Sequence, residues 1–235
     1  MKLKLVSINI WNYTNYQERR SKIINFIKKH NPDILVLQEV RDDVDFNEKG
    51  NNQAKQINEE INYPYYEFYE VTDKQKERPE KYNRHCKEGT AIFSKFPITK
   101  VEKIQLTKQP DDRYTCGNLH VTLQAKKKID IIGVHFSNSS LFSLLHMIET
   151  LKYCRDKKIK PMIVGDFNFL HPNWLYDLTS YEFNSSYNFK KYISYPSKKE
   201  TLDYILIPKK SKFVSLLCPD EELSDHNPLV AEIEY

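Results

Sequence analysis

Between Lys2 and Glu39 the apolar residues change period twice, and no other stretch restricts the fold as much. Lys2 to Ile10 alternates polar and apolar residues, which describes a strand ending near Asn9 and Trp11. Ile23, Ile24, Phe26 and Ile27 then recur at helical spacing, and Asn31-Pro32 stops that helix. Asp33 to Glu39 carries a continuous apolar run, Ile-Leu-Val-Leu, suited to a strand covered on both faces. Strand, helix and strand in so short a span imply a right-handed crossover joining parallel strands. Both strands finish in polar groups, Asn9 and Glu39, at the edge where open sheets place their sites.

Further along, residues 41–62 are polar, with a helix expected around Gln53 to Ile61, and residues 72–88 are charge-dense and read as a loop. Strands are expected at Gly89 to Ser94, Ile98 to Leu106, near 114–125 and 129–135, and at Met162 to Val164. Lys126-Lys127-Lys128 reads as a solvated hairpin tip, and Leu141 to Cys154 has helical periodicity. The chain is irregular from Asn168 to about Thr201, and Leu202 to Ile207 and Leu229 to Ile233 are the last strands. Without repeat or linker, residues 1–235 read as one domain, a mixed α/β sandwich with hairpins as well as crossovers.

Composition narrows the classes. Charged residues at 29% and aromatics at 13% describe a soluble globular chain. No apolar run nears the ~20 residues of a membrane span, and Met1 to Val6 reads as strand rather than signal peptide. Cys86, Cys116, Cys154 and Cys218 have no paired spacing, which argues against a zinc site or a disulfide framework and for a reducing cytoplasm. A net charge of +4 leans weakly towards anionic partners. The five glycines are too dispersed for a phosphate-cradling loop, so phosphate chemistry here rests on side chains and metal.

The strand ends carry Asn9, Glu39, Glu88, His135, Asp166, Asn168, Asp203 and the pair Asp225-His226. Each alone has an ordinary reading as a turn former, a solvated cap or a packed histidine. Gathered in one place, carboxylates and histidines would repel and desolvate badly without balancing cations. Oxygen donors without cysteine favour a hard ion, Mg²⁺ or Mn²⁺, and a site that expects phosphate. In Gly165-Asp166-Phe167-Asn168 an acid able to take a proton from water stands two residues from an uncharged amide donor.

The set Ser-Ile-Asn9-Ile-Trp-Asn, Leu-Gln-Glu39-Val, Glu88-Gly-Thr-Ala-Ile-Phe-Ser-Lys-Phe-Pro-Ile, Val-His135-Phe-Ser, Gly-Asp166-Phe-Asn168, Leu-Asp203-Tyr-Ile and Ser-Asp225-His226-Asn-Pro-Leu resembles the endonuclease/exonuclease/phosphatase, DNase I-like, family. The motifs keep that family's order over residues 7–229. The resemblance implies a four-layer α/β sandwich, two packed mixed β-sheets flanked by helices, and metal-assisted hydrolysis of a phosphoester by water. It makes Glu39 the principal Mg²⁺ ligand with Asn9 beside it and Asp225 completing the metal side. Asp166 would deprotonate the water and Asn168 hold it or a phosphate oxygen. His226, fixed by Asp203, and His135, oriented by Glu88, would donate to the phosphate.

His135, and the lack of a Tyr-Val-Pro-Asn motif, set the chain apart from abasic-site endonucleases. In Val-His135-Phe-Ser it resembles the branch of DNase I-type nucleases, sphingomyelinases, deadenylases, inositol-phosphate phosphatases and tyrosyl-DNA phosphodiesterases. Asn9-Ile-Trp-Asn12-Tyr and His135-Phe136-Ser137-Asn138 depart from the motifs of the last. The expected substrate is a phosphodiester of nucleic acid. Lipid or inositol phosphates form the alternative class, and a non-catalytic binding module a third. Lys74 to Lys87, with Arg78, Tyr82, Arg84 and His85, either tracks a polyphosphate backbone or is a solvated loop. Arg113 is either a phosphate clamp or a surface pair, and His171 and Trp174 either cover the site or pack the core. The chain is expected to act as a monomer.

Overall fold

The computed structural model describes residues 1–235. In its first half the order is β1 (Lys2–Asn9), α1 (Tyr16–His30), β2 (Ile34–Asp43), α2 (Gln53–Ile61), β3 (Tyr65–Asp73), the short α3 (Lys74–Glu77), β4 (Cys86–Ser94), β5 (Ile98–Gln105) and β6 (Gly117–Gln124). Then follow β7 (Lys128–His135), α4 (Ser140–Asp156), β8 (Met162–Asp166), α5 (Pro172–Thr179), β9 (Phe183–Ser185), α6 (Ser186–Phe189), β10 (Asp203–Pro208), β11 (Lys212–Leu217) and β12 (Leu229–Glu234). No helix is long and apolar enough to cross a membrane.

Two six-stranded sheets result, ordered β11-β12-β1-β2-β4-β3 and β5-β6-β7-β8-β10-β9. Each has one parallel pair, β1/β2 or β7/β8, made by a crossover through α1 or α4, and its other pairings are antiparallel. The expected mixed sandwich is therefore present, with one strand plan used twice. Three apolar clusters separate the layers. Ile23, Ile24, Phe26 and Ile27 of α1 pack on Val6, Ile8, Leu35 and Leu37. Leu5, Val36 and Ile92 meet Leu119, Ile131 and Val164 between the sheets. Met147, Leu151 and Cys154 of α4 cover Ile132, Val134 and Ile163. The i, i+3, i+4 spacing on each helix is what lets one face do this.

Some local expectations needed correction. Residues 72–88 are not a loop throughout, since β3 and β4 reach into them and α3 lies between. Residues 169–201 contain α5, β9 and α6, and β11 is a strand without a sequence signal of its own. Short edge strands gain their order from pairing, β9 on β10 and β11 on β12, which local periodicity does not encode.

Candidate active site

Residues of β2, β3, β4, β7 and β8, with the segments just after β1 and just before β10, line one cleft of about 680 Å³. Two backbone features aim the side chains. In β2 the register against β4 slips between Leu37 and Val40, and Glu39 sits in that bulge at φ +56°. A bulged residue is unpaired and its side chain is re-aimed, at a backbone cost on the order of 1–3 kcal/mol for a non-glycine. In β8, Gly165 has φ +143°, and a Cβ there would lie 2.1 Å from the Val134 carbonyl oxygen. Only glycine lets β8 close on β7, which sets Asp166 opposite His135.

Asp166 is 1% exposed and is the hub. Its Oδ1 accepts from the Asn168 backbone N–H at 2.8 Å, and its Oδ2 from Asn9 Nδ2 at 3.1 Å. The same Asn9 amide donates to Glu39 Oε1 at 3.1 Å, and Asn12 Nδ2 donates to Glu39 Oε2 at 2.8 Å. Asn9 thus turns its NH₂, not its oxygen, towards both carboxylates, while its Oδ1 accepts from the Trp11 N–H at 3.0 Å. In this arrangement it holds the two acids in place. Asn168, at φ +49°, donates from Nδ2 to the Phe136 carbonyl at 2.9 Å.

Across the cleft, His226 Nδ1 meets Asp203 Oδ2 at 2.8 Å. His226 Nε2 and His135 Nε2 stand 3.9 and 3.8 Å from Asp166 Oδ2. Those gaps are too long for direct hydrogen bonds but fit an intervening oxygen. Burial, then the neighbouring Asp203 charge, raise the Asp166 carboxyl to about 6, against the opposing pull of His226 and His135. Burial alone would lower His226, but Asp203 and Asp166 outweigh it and raise the imidazolium to about 10. Near pH 7 the site therefore offers a basic carboxylate beside a charged donor. Asp225 also lines the cleft, with its Oδ1 accepting from Ser224 Oγ at 3.0 Å.

Glu88 does not orient His135. Its Oε1 meets Lys74 Nζ at 2.7 Å and its Oε2 meets Arg41 Nε at 2.8 Å. Although burial works against ionisation, Lys74 and Arg41 pull the carboxyl down to about 2. The β3–β4 pairing brings Lys74 over this carboxylate, so the first cation to reach Glu88 is not an imidazole. Arg113 and Trp174 also stand apart: both are exposed, neither lines the cleft, and Trp174 stacks on His171 with ring centroids 4.5 Å apart. Of the Lys74 to Lys87 segment, Lys74, Lys81 and Tyr82 line the cleft. Arg78, Arg84 and His85 instead pair with Glu80, Asp45 and Asp42.

Other contributors escaped the sequence reading. Buried Arg19 donates to the carbonyls of Ile10, Trp11, Thr14 and Leu223, tying the loop that carries Asn12 to the loop before Asp225. Tyr195 packs its ring 4.8 Å from His226. Asn12, three residues after Asn9, was the only one with a signal nearby; Arg19 looks like any helix arginine in sequence.

Fold and site together define a four-layer α/β sandwich with a carboxylate–histidine cleft at its strand ends. The chain belongs to the Endonuclease/Exonuclease/phosphatase family, whose model matches residues 6–226, and so to the hydrolases. An endonuclease/exonuclease/phosphatase from Beutenbergia cavernae has a similar structure, with TM-score 0.79 at 16% identity over 99% of this chain and 71% of its own. The human Nocturnin catalytic domain, solved with a bound sulfate anion, gives 0.74 at 20% identity over 99% of this chain and 94% of its own. A mannosyl-6-phosphatase from Bacteroides thetaiotaomicron gives 0.67 at 15% identity, covering 99% of this chain and 100% of its own. At such identities the likeness is one of fold. No curated protein matches the chain by sequence.

Proposed function

We propose that the chain acts as one catalytic unit, a Mg²⁺-dependent phosphoesterase that hydrolyses a phosphodiester of nucleic acid. The observation that carries this reading is Asp166, buried, raised to about 6 and faced at 3.8 and 3.9 Å by two histidine nitrogens in an open cleft. The donor set suits a hard cation. Glu39 opens onto the cleft, held by two amides, and the Asp225 carboxylate lines the same cleft. Glu39 and Asp225 would hold the ion, which when bound supplies counter-charge to phosphoryl oxygens.

The remaining chemistry belongs to the side chains. Asp166 takes the proton of the attacking water at Oδ2, with Asn9 and the Asn168 N–H fixing the carboxylate. His226 donates from Nε2 to a phosphate oxygen while Asp203 holds Nδ1, and His135 donates from the opposite side. Lys81 and Lys198 line the cleft together with Trp11, Tyr82, Tyr114 and Tyr195, a lining that suits phosphate backbone and bases.

The test is Mg²⁺ with plasmid, single-stranded oligonucleotide, 5′-tyrosyl oligonucleotide, sphingomyelin and inositol phosphates. Cleavage of a nucleic acid is expected, lost in EDTA and restored by Mg²⁺ or Mn²⁺. Turnover confined to lipid or inositol headgroups overturns the nucleic-acid assignment, and silence from folded protein overturns catalysis. The rate should follow a bell in pH. It rises as Asp166 loses its proton near pH 6 and falls as His226 loses its own near pH 10. A profile flat from pH 5 to 8 would contradict the assignment of Asp166 as base.

A further inference from the structure

Beside the cleft, and apart from the Asp166 cluster, three buried donors converge from one connection and one helix. Asp112 comes from the loop between β5 and β6, Cys116 from the residue before β6, and His146 from α4; one ligand atom of each lies within 4.8 Å of the others. Asp112 Oδ1 accepts from Ser137 Oγ at 2.8 Å, but its Oδ2 is buried without any partner. An orphaned carboxylate oxygen costs free energy that a cation would recover. His146 Nε2 faces the Thr107 carbonyl at 3.3 Å. Donation to a carbonyl is the usual anchor of a metal-binding imidazole and leaves the lone pair on Nδ1. Nδ1 now accepts from the Ser137 backbone N–H at 3.3 Å, a long bond that an ion would displace, and Ser137 Oγ also holds Asp112.

We propose that Asp112, Cys116 and His146 bind one Zn²⁺-class ion. Thiolate, imidazole and carboxylate together select a borderline ion over Mg²⁺. Tetrahedral bonds of roughly 2.0–2.3 Å put ligands roughly 3.3–3.8 Å apart, so inward rotation of about 1–1.5 Å closes the set. Asp112 and Cys116 also line the cleft, which places the proposed site at its wall. The ion ties the loop before β6 to α4 at the wall of the candidate active site. In sequence Asp112 and Cys116 stand four residues apart, but nothing local links them to His146, thirty residues further on.

Cobalt(II) added to the full chain in excess Mg²⁺ tests the proposal independently of any reaction. One equivalent should raise a near-ultraviolet thiolate-to-cobalt band with tetrahedral visible bands, both bleached by Zn²⁺. Cys116→Ser should abolish the band, while Cys86→Ser, Cys154→Ser and Cys218→Ser keep it. Zn²⁺ should raise the melting temperature of the wild type but not of His146→Gln. Absence of the band in the wild type, or its survival in folded Cys116→Ser, overturns the site. If Cys116→Ser does not fold, an undiminished band in His146→Gln does the same.

Discussion

Asp166→Asn is expected to lower turnover of any responsive phosphoester by about 10²–10⁴ while the protein stays folded. The amide keeps the size of the carboxylate and can still accept from the Asn168 N–H, but it cannot take a proton from water. Its effect on stability has the opposite sign. Because the folded carboxyl is raised to about 6, its contribution is full below the unfolded value of 3.8 and is lost as pH rises through about 6. At pH 8 the wild type therefore carries a buried charge that the variant lacks. The variant's melting temperature at pH 8 should be no lower than that of the wild type. Activity within tenfold of wild type would remove Asp166 from the role of base; a collapsed melting temperature would make it a packing residue.

Glu88→Gln should act the other way, through stability. Glu88 is 5% exposed and its two oxygens balance Lys74 and Arg41, themselves buried or nearly so. Removing its charge strands two cations in low dielectric, and breaking such a pair costs about 3–5 kcal/mol. The sign with pH follows from the lowered carboxyl. Its contribution is present above the unfolded value of 4.5 and is lost as pH falls through about 2. Denaturant titration at pH 7 should show the loss, and the gap to wild type should narrow in acid. Lys74→Met added to Glu88→Gln should recover part of it by removing one stranded charge. Unchanged stability with a large fall in rate would restore a role for Glu88 beside His135.

The contrast between those two carboxylates marks how far the linear chain could be read. Both stand at strand ends, and both belong to the motif set. Their strands were legible because apolar period is a local property, as for α1 with Ile23, Ile24, Phe26 and Ile27. Which cation reaches each acid was not, because it depends on how distant segments pair. Lys74 meets Glu88 only after β3 pairs with β4, and Asn9 meets Asp166 across 157 residues of chain.

Arg113 and Trp174 illustrate the same limit. Their side-chain chemistry suits phosphate and ring contacts, yet both finish exposed and outside the cleft lining. Arg19 is the converse, an unremarked helix residue that becomes the tie between two site loops.

From its own residues the chain determined the crossover that begins it, the alternation of strands and helices, and the acids, amides and histidines offered at strand ends. Tertiary structure alone decided that Asn9 braces two acids, that Glu88 belongs to Lys74 and Arg41, and that Asp112, Cys116 and His146 share one buried space. The reason is range. Periodicity is imposed by bonded neighbours, whereas ion pairing and burial are settled by whichever groups the packed sheets bring within a few ångströms.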